Sequence, residues 1–142
     1  MFGNDRENLR RYYVTVWEKA GAGQPLEPLE RIIAEVIREH PEYQSFLRDA
    51  ETALQRDFTP EMGQANPFLH MGLHIAIREQ LGSDRPEGFR DVYRQIGRRV
   101  GDIHTAEHAI MECLGQTLWE AQRGGVAPDE RAYLERLRRL AT

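Results

Sequence analysis

Apolar residues recur every three or four positions along almost the whole chain, which is the spacing of a buried helix face. Leu9, Tyr13, Val16, Trp17 and Ala20 form one such stripe, and Leu29, Ile32, Ile33, Val36 and Ile37 form the next. Asn4 or Asp5 is placed to cap the first helix, and GAGQP at 21–25 to stop it. The second helix is expected to start near Pro28, with Glu30, Arg31, Glu35 and Arg38 largely off its apolar stripe. Pro41 disfavours helical geometry at His40 and is welcome in a first turn. HPEYQSFLRDAETAL therefore predicts a new helix with Tyr43, Phe46, Leu47 and Ala50 facing inward. RDFTPEMGQANP, residues 56–67, reads as a loop of turn formers.

The second half continues in the same period. Asn66 is placed to cap, and Pro67 to open, the helix FLHMGLHIAIREQLG, which Gly82 should end. Ser83 or Asp84, together with Pro86, predicts the start of another. Its core face would be Phe89, Val92, Tyr93, Ile96 and Val100, and Gly101 would close it. Asp102 is a natural N-cap for a long helix to about Arg123. GGVAPD should end that helix, and Asp129 begin a last one carrying Leu134, Leu137 and Leu140. No stretch alternates with the period of a strand. The expectation is one all-α domain over residues 1–142, a bundle of about six or seven helices around a four-helix core.

Composition narrows the function classes. Hydrophobic residues at 40% and charged residues at 30% place the chain among globular proteins rather than disordered ones. The formal net charge is −4, so no nucleic acid or acidic membrane partner is expected. Small basic groups such as Arg98–Arg99 read as solvated helix faces. Cys113 is alone, so no internal disulfide can form, and a reducing compartment suits the chain. The N-terminal MFGNDRENLRRYY lacks a signal-peptide layout, and no apolar run approaches a membrane span. A cytoplasmic location is expected.

The histidines change the picture most. There are five, and four of them form pairs four residues apart: His70 with His74, and His104 with His108. Random placement would give two such pairs with a probability on the order of one in a hundred. Residues at this spacing lie one above the other on a helix face, so two imidazoles can converge on one metal ion. Glu112 continues the row of His104 and His108. Two such rows facing each other, with a metal between them, would relieve the cost of burying histidines and a carboxylate. The expected ligands are His70, His74, His104, His108 and Glu112, holding one or two transition-metal ions, iron or zinc. His40, directly before Pro41, reads as a helix C-terminal cap, with a fifth-ligand role left open.

Three metal chemistries fit these letters. His104-x-x-Glu107-His108 spells a zinc-peptidase motif, in which Glu107 would activate water. That reading leaves His70 and His74 unused, and only 34 residues of the 142 follow His108. Glu107 is accordingly expected to face solvent or to support a histidine from behind. A dinuclear iron site is the second reading. Here the His70/His74 and His108/Glu112 pairs resemble the ligand inventory of hemerythrin-like proteins. The order of the two elements is swapped, however, and no His-x-x-x-x-Asp element follows. A mononuclear divalent site is the third. A metal-free helical interaction module, in which the histidines pair with carboxylates in a homo-oligomer, is the alternative class. No small-molecule substrate is indicated.

HPEY, NPFLHMGLHIAIREQ, DRP, AEHAIMECLGQTLWEAQRGG and YLERLRRL together resemble the bacterial family called domain of unknown function 1841. The resemblance spans nearly the full length. It implies a small single-domain protein of proteobacteria and carries no catalytic residues with it. Members often have histidine directly after HPEY, where this chain has Gln44. Met62, Met71 and Met111 read as packing residues. Cys113 reads as a small buried residue, and Trp17 and Trp119 as core or interface aromatics.

Overall fold

Prolines and glycines set the helix limits much as their backbone chemistry requires. The computed structural model describes residues 2–48 and 67–142. Residues 56–66 of the expected loop, with the Asn66 cap and Met62, lie outside the described residues, as do Ala50 and the side chains of Tyr43 and Phe46. Among the described residues there are seven helices and no strand. They are α1 (Phe2–Gly21), α2 (Pro28–Glu39), α3 (Pro41–Arg48), α4 (Pro67–Ser83), α5 (Phe89–Val100), α6 (Ile103–Gly124) and α7 (Glu130–Ala141). The all-α class is thus observed. None of these helices is long and apolar enough to cross a membrane.

Several ends are capped as expected. Asp102 accepts from the Thr105 backbone N–H, and Asp129 from that of Ala132. Gly101 ends α5 at φ +83°, a left-handed geometry that costs glycine least. Other limits differ. The first helix already begins at Phe2, so Asn4 and Asp5 lie inside it. α5 starts at Phe89 rather than beside Ser83 or Asp84. The Asp84 carboxylate still serves that helix, because it accepts from the Arg90 backbone N–H at 2.9 Å. That bond, with one from Gly88 N–H, holds its carboxyl below the usual carboxylate range. At α2, Glu27 and Glu30 form a capping box that the apolar stripe does not reveal. Glu30, expected off the stripe, is buried. It accepts from Lys19 at 2.9 Å and from the Glu27 backbone N–H, so its charge is compensated.

The helices pack as two compact units, Met1–Ile75 and Ala76–Thr142, and the division falls inside α4. In the first unit α1, α2 and α3 pack on one another. Tyr13, Val14, Val16, Ile33, Ala34, Val36, Ile37, Leu47, Phe68, Met71 and Ile75 form its core, with Trp17 against it. Leu9, expected inside, is 50% exposed, and its neighbour Arg10 is buried instead. The Arg10 guanidinium lies 4.5 Å from the Phe68 ring centroid, which offers the charge an aromatic face. Leu29 is likewise exposed.

In the second unit α5, α6 and α7 pack pairwise. Phe89, Val92, Ile96, Ile110, Met111, Leu114, Tyr133 and Leu137 are buried. Val100, expected on the core face of α5, is exposed in its last turn, and Trp119 is 56% exposed. Arg123 lies 5.1 Å from the Trp119 ring centroid, which partly covers it.

Candidate metal centre

Three histidines of the first unit converge. His70 and His74 stand one turn apart on α4, as their spacing predicts, and their Nε2 atoms are 3.1 Å apart. His40, at the end of α2, joins them. Its ring centroid lies 4.6 Å from that of His74 and 5.6 Å from that of His70. Each of the three offers a ring nitrogen, and these nitrogens lie within 4.8 Å of one another. His74 and His40 are buried and His70 is half-buried. Such a cluster could hold a metal ion.

Local sequence explains how His40 arrives there. Pro41 takes the first turn of α3, so His40 must leave the helical conformation, and it adopts φ −125°, ψ 74°. It caps α2 as expected, with its backbone N–H on the Ile37 carbonyl. Its side chain turns inward, and Nδ1 lies 2.7 Å from the Val36 carbonyl oxygen. A carbonyl only accepts, so Nδ1 carries the proton and donates. In the neutral ring Nε2 then holds the lone pair, the state in which imidazole binds metal. A backbone carbonyl on the far nitrogen is the usual means of fixing a ligand histidine's tautomer and orientation. The cap and the cluster therefore use different atoms of one residue.

The spacing within α4 also suits a shared ion. Two nitrogens at roughly 2.0–2.1 Å from one tetrahedral metal stand about 3.3 Å apart. The 3.1 Å between the Nε2 atoms of His70 and His74 is close to that value.

The remaining expected residues lie in the second unit. His104 and His108 pair with each other on α6, with ring centroids 4.3 Å apart. His104 is exposed, His108 half-buried, and Glu112, the next residue of that row, is exposed. Glu107 does not face solvent. It is 3% exposed, because Arg78 and Tyr93 compensate its carboxylate. Arg78 Nε donates to Oε1 at 3.4 Å, and the Tyr93 hydroxyl to Oε2 at 3.3 Å. A carboxylate with both oxygens engaged is poorly placed to take a proton from zinc-bound water, which counts against the peptidase spelling. Arg78 was not singled out by the sequence. The available signal was its place in the row His70, His74, Arg78, each four residues on.

Elsewhere, Met71 and Met111 are buried packing residues, as expected. Cys113 is half-buried on α6, and burial pushes its thiol above the ordinary value.

One protein family, described as a domain of unknown function (DUF1841), has a model that matches residues 5–139, nearly the whole chain. Neither a curated protein nor a solved structure matches it.

Proposed function

The chain belongs to the family described as domain of unknown function 1841, and we propose that it binds a transition-metal ion, zinc or iron, through His40, His70 and His74. The observation that carries this reading is the convergence of three imidazoles in the first unit. The backbone bond to His40 Nδ1, which fixes the ring's tautomer and orientation, supports it further. Imidazole is a good ligand for zinc, iron, copper and nickel alike, so the ligand type gives the class of metal.

His104, His108 and Glu112 lie in the second unit and are left out of the proposed set. Three imidazoles would hold such an ion with a further coordination position left for water or another ligand.

Metal analysis of protein purified without an affinity tag tests this directly. About one zinc or iron ion per chain is expected, and His74→Ala and His40→Ala should lose it. His104→Ala and Glu112→Ala should keep it. Protein refolded with zinc and then with iron that retains neither would overturn the proposal.

A further inference from the structure

α5 carries four arginines, and they divide into two kinds. Arg90 donates to the Leu81 and Gly82 carbonyls, and Arg99 to the Leu140 carbonyl. Arg94 and Arg98 are exposed and make no hydrogen bond or ion pair among the described residues. They stand four residues apart on one face of the helix. Like charges at that spacing repel and destabilise a helix unless something neutralises them.

A groove of about 340 Å³ opens between them, lined by Tyr93, Arg94, Gly97, Arg98 and Ile103. Its walls are apolar. Ile103, at the first position of α6, is 64% exposed. The Tyr93 ring forms a fixed wall, because its hydroxyl is held by buried Glu107. Gly97 keeps the groove open, since a Cβ there would meet nothing within 4 Å and would project into free space. The volume falls in the lower range of small-ligand sites. A planar guanidinium matches a carboxylate through paired N–H donors, and apolar walls beside it favour a hydrocarbon body.

We propose that this groove binds a small organic carboxylate with a short apolar or aromatic body. The carboxylate would sit between the Arg94 and Arg98 guanidiniums, and its body against Ile103 and Tyr93. The groove shares no residue with the histidine cluster, and its test does not depend on metal.

The full chain is titrated with benzoate, followed by calorimetry and by the backbone amide signals of Gly97 and Ile103. Inorganic phosphate serves as the head-group-only probe. Saturable benzoate binding that moves those two signals is expected, with phosphate binding more weakly. Arg94→Gln and Arg98→Gln should each weaken benzoate about tenfold. Gly97→Leu should fill the groove and abolish binding without lowering the melting temperature, which separates a blocked site from a damaged fold. Ile103→Ser should weaken benzoate and leave phosphate unchanged. Benzoate that fails to saturate, or binds the Arg94→Gln/Arg98→Gln double variant as tightly as the parent, would overturn the proposal. Phosphate binding as tightly as benzoate would overturn the apolar half of it.

Discussion

Glu107→Ala is the substitution whose consequence the structure specifies most closely. The Glu107 side chain is 4% exposed and that of Arg78 20%. Removing one partner of a fully buried pair costs about 3–5 kcal/mol, because the other charge stays behind without compensation. Here the contact is long, at 3.4 Å, and Arg78 retains some access to water. About 2 kcal/mol is the appropriate share. The Tyr93 hydroxyl also loses its acceptor, a 3.3 Å bond worth about 1 kcal/mol. The sum is about 3 kcal/mol. For a chain of this length each kcal/mol moves the melting temperature by about 3 °C, so a fall of about 9 °C is expected. Glu107→Gln keeps an acceptor for Tyr93 and loses only the charge, and should fall about half as far. Thermal unfolding followed by circular dichroism reads both. A double-mutant cycle with Arg78→Ala should return a coupling of about 2 kcal/mol. A Glu107→Ala protein melting within about 2 °C of the parent, or a coupling below about 0.5 kcal/mol, would refute the buried-pair argument. Either result would restore the view of Glu107 as a solvent-facing acid.

Two further outcomes concern single groups. The Thr105 hydroxyl and backbone N–H hold the Asp102 carboxyl below the usual carboxylate range. A depressed acid contributes stability above its unfolded-state value and loses it as pH falls through the folded one, so its contribution should fade below about pH 4. Asp102→Asn, which still caps, should melt near the parent, and Asp102→Ala a few degrees lower at pH 7, with the gap closing in acid; a gap that widens in acid would reverse the sign. Burial pushes the Cys113 thiol up from the ordinary 9.0, with the Glu112 charge adding to it and Arg136 opposing. Alkylation of the native chain should therefore be slow at neutral pH and still accelerating above pH 9.0. A rate that levels off below pH 8 would show an activated thiol instead.

The fold was legible because helices announce themselves locally. Pro28, Pro41 and Pro67 each begin a helix, Asp102 and Asp129 cap as their positions suggest, and Gly101 ends α5. What periodicity could not reveal was the compensation of charge across elements. Glu30 reads as a residue off an apolar stripe and Glu107 as facing solvent or standing behind a histidine, yet both are buried. Their partners Lys19, Arg78 and Tyr93 come from other helices, and no local pattern links them. The same blindness acted in reverse at Leu9, Leu29 and Val100. They have the right spacing for a core face, and they sit where the neighbouring helix does not cover them. Spacing defines a face about a turn wide. Packing selects which edge of that face is covered.

His40 shows the same limit at the candidate site. Read along the chain, it is the residue before a proline, and a cap and a ligand look like competing roles. The structure removes the competition by dividing the residue. Its backbone N–H closes α2 on Ile37, its Nδ1 donates to Val36, and its ring edge meets His70 and His74. Pro41 is the cause of all three, because it forces His40 out of the helix and so turns the side chain toward the core. The two histidines of HMGLH were visible from their spacing alone, since both lie on one helix. The third required knowing that a helix break 30 residues upstream, at His40 relative to His70, would aim an imidazole at them. This dependence makes Pro41→Ala a sensitive probe of the arrangement. If α2 runs on through position 41, His40 takes helical geometry and its Nδ1 bond to Val36 is lost. The two-histidine pair on α4 then stands without the imidazole whose tautomer the backbone had already set.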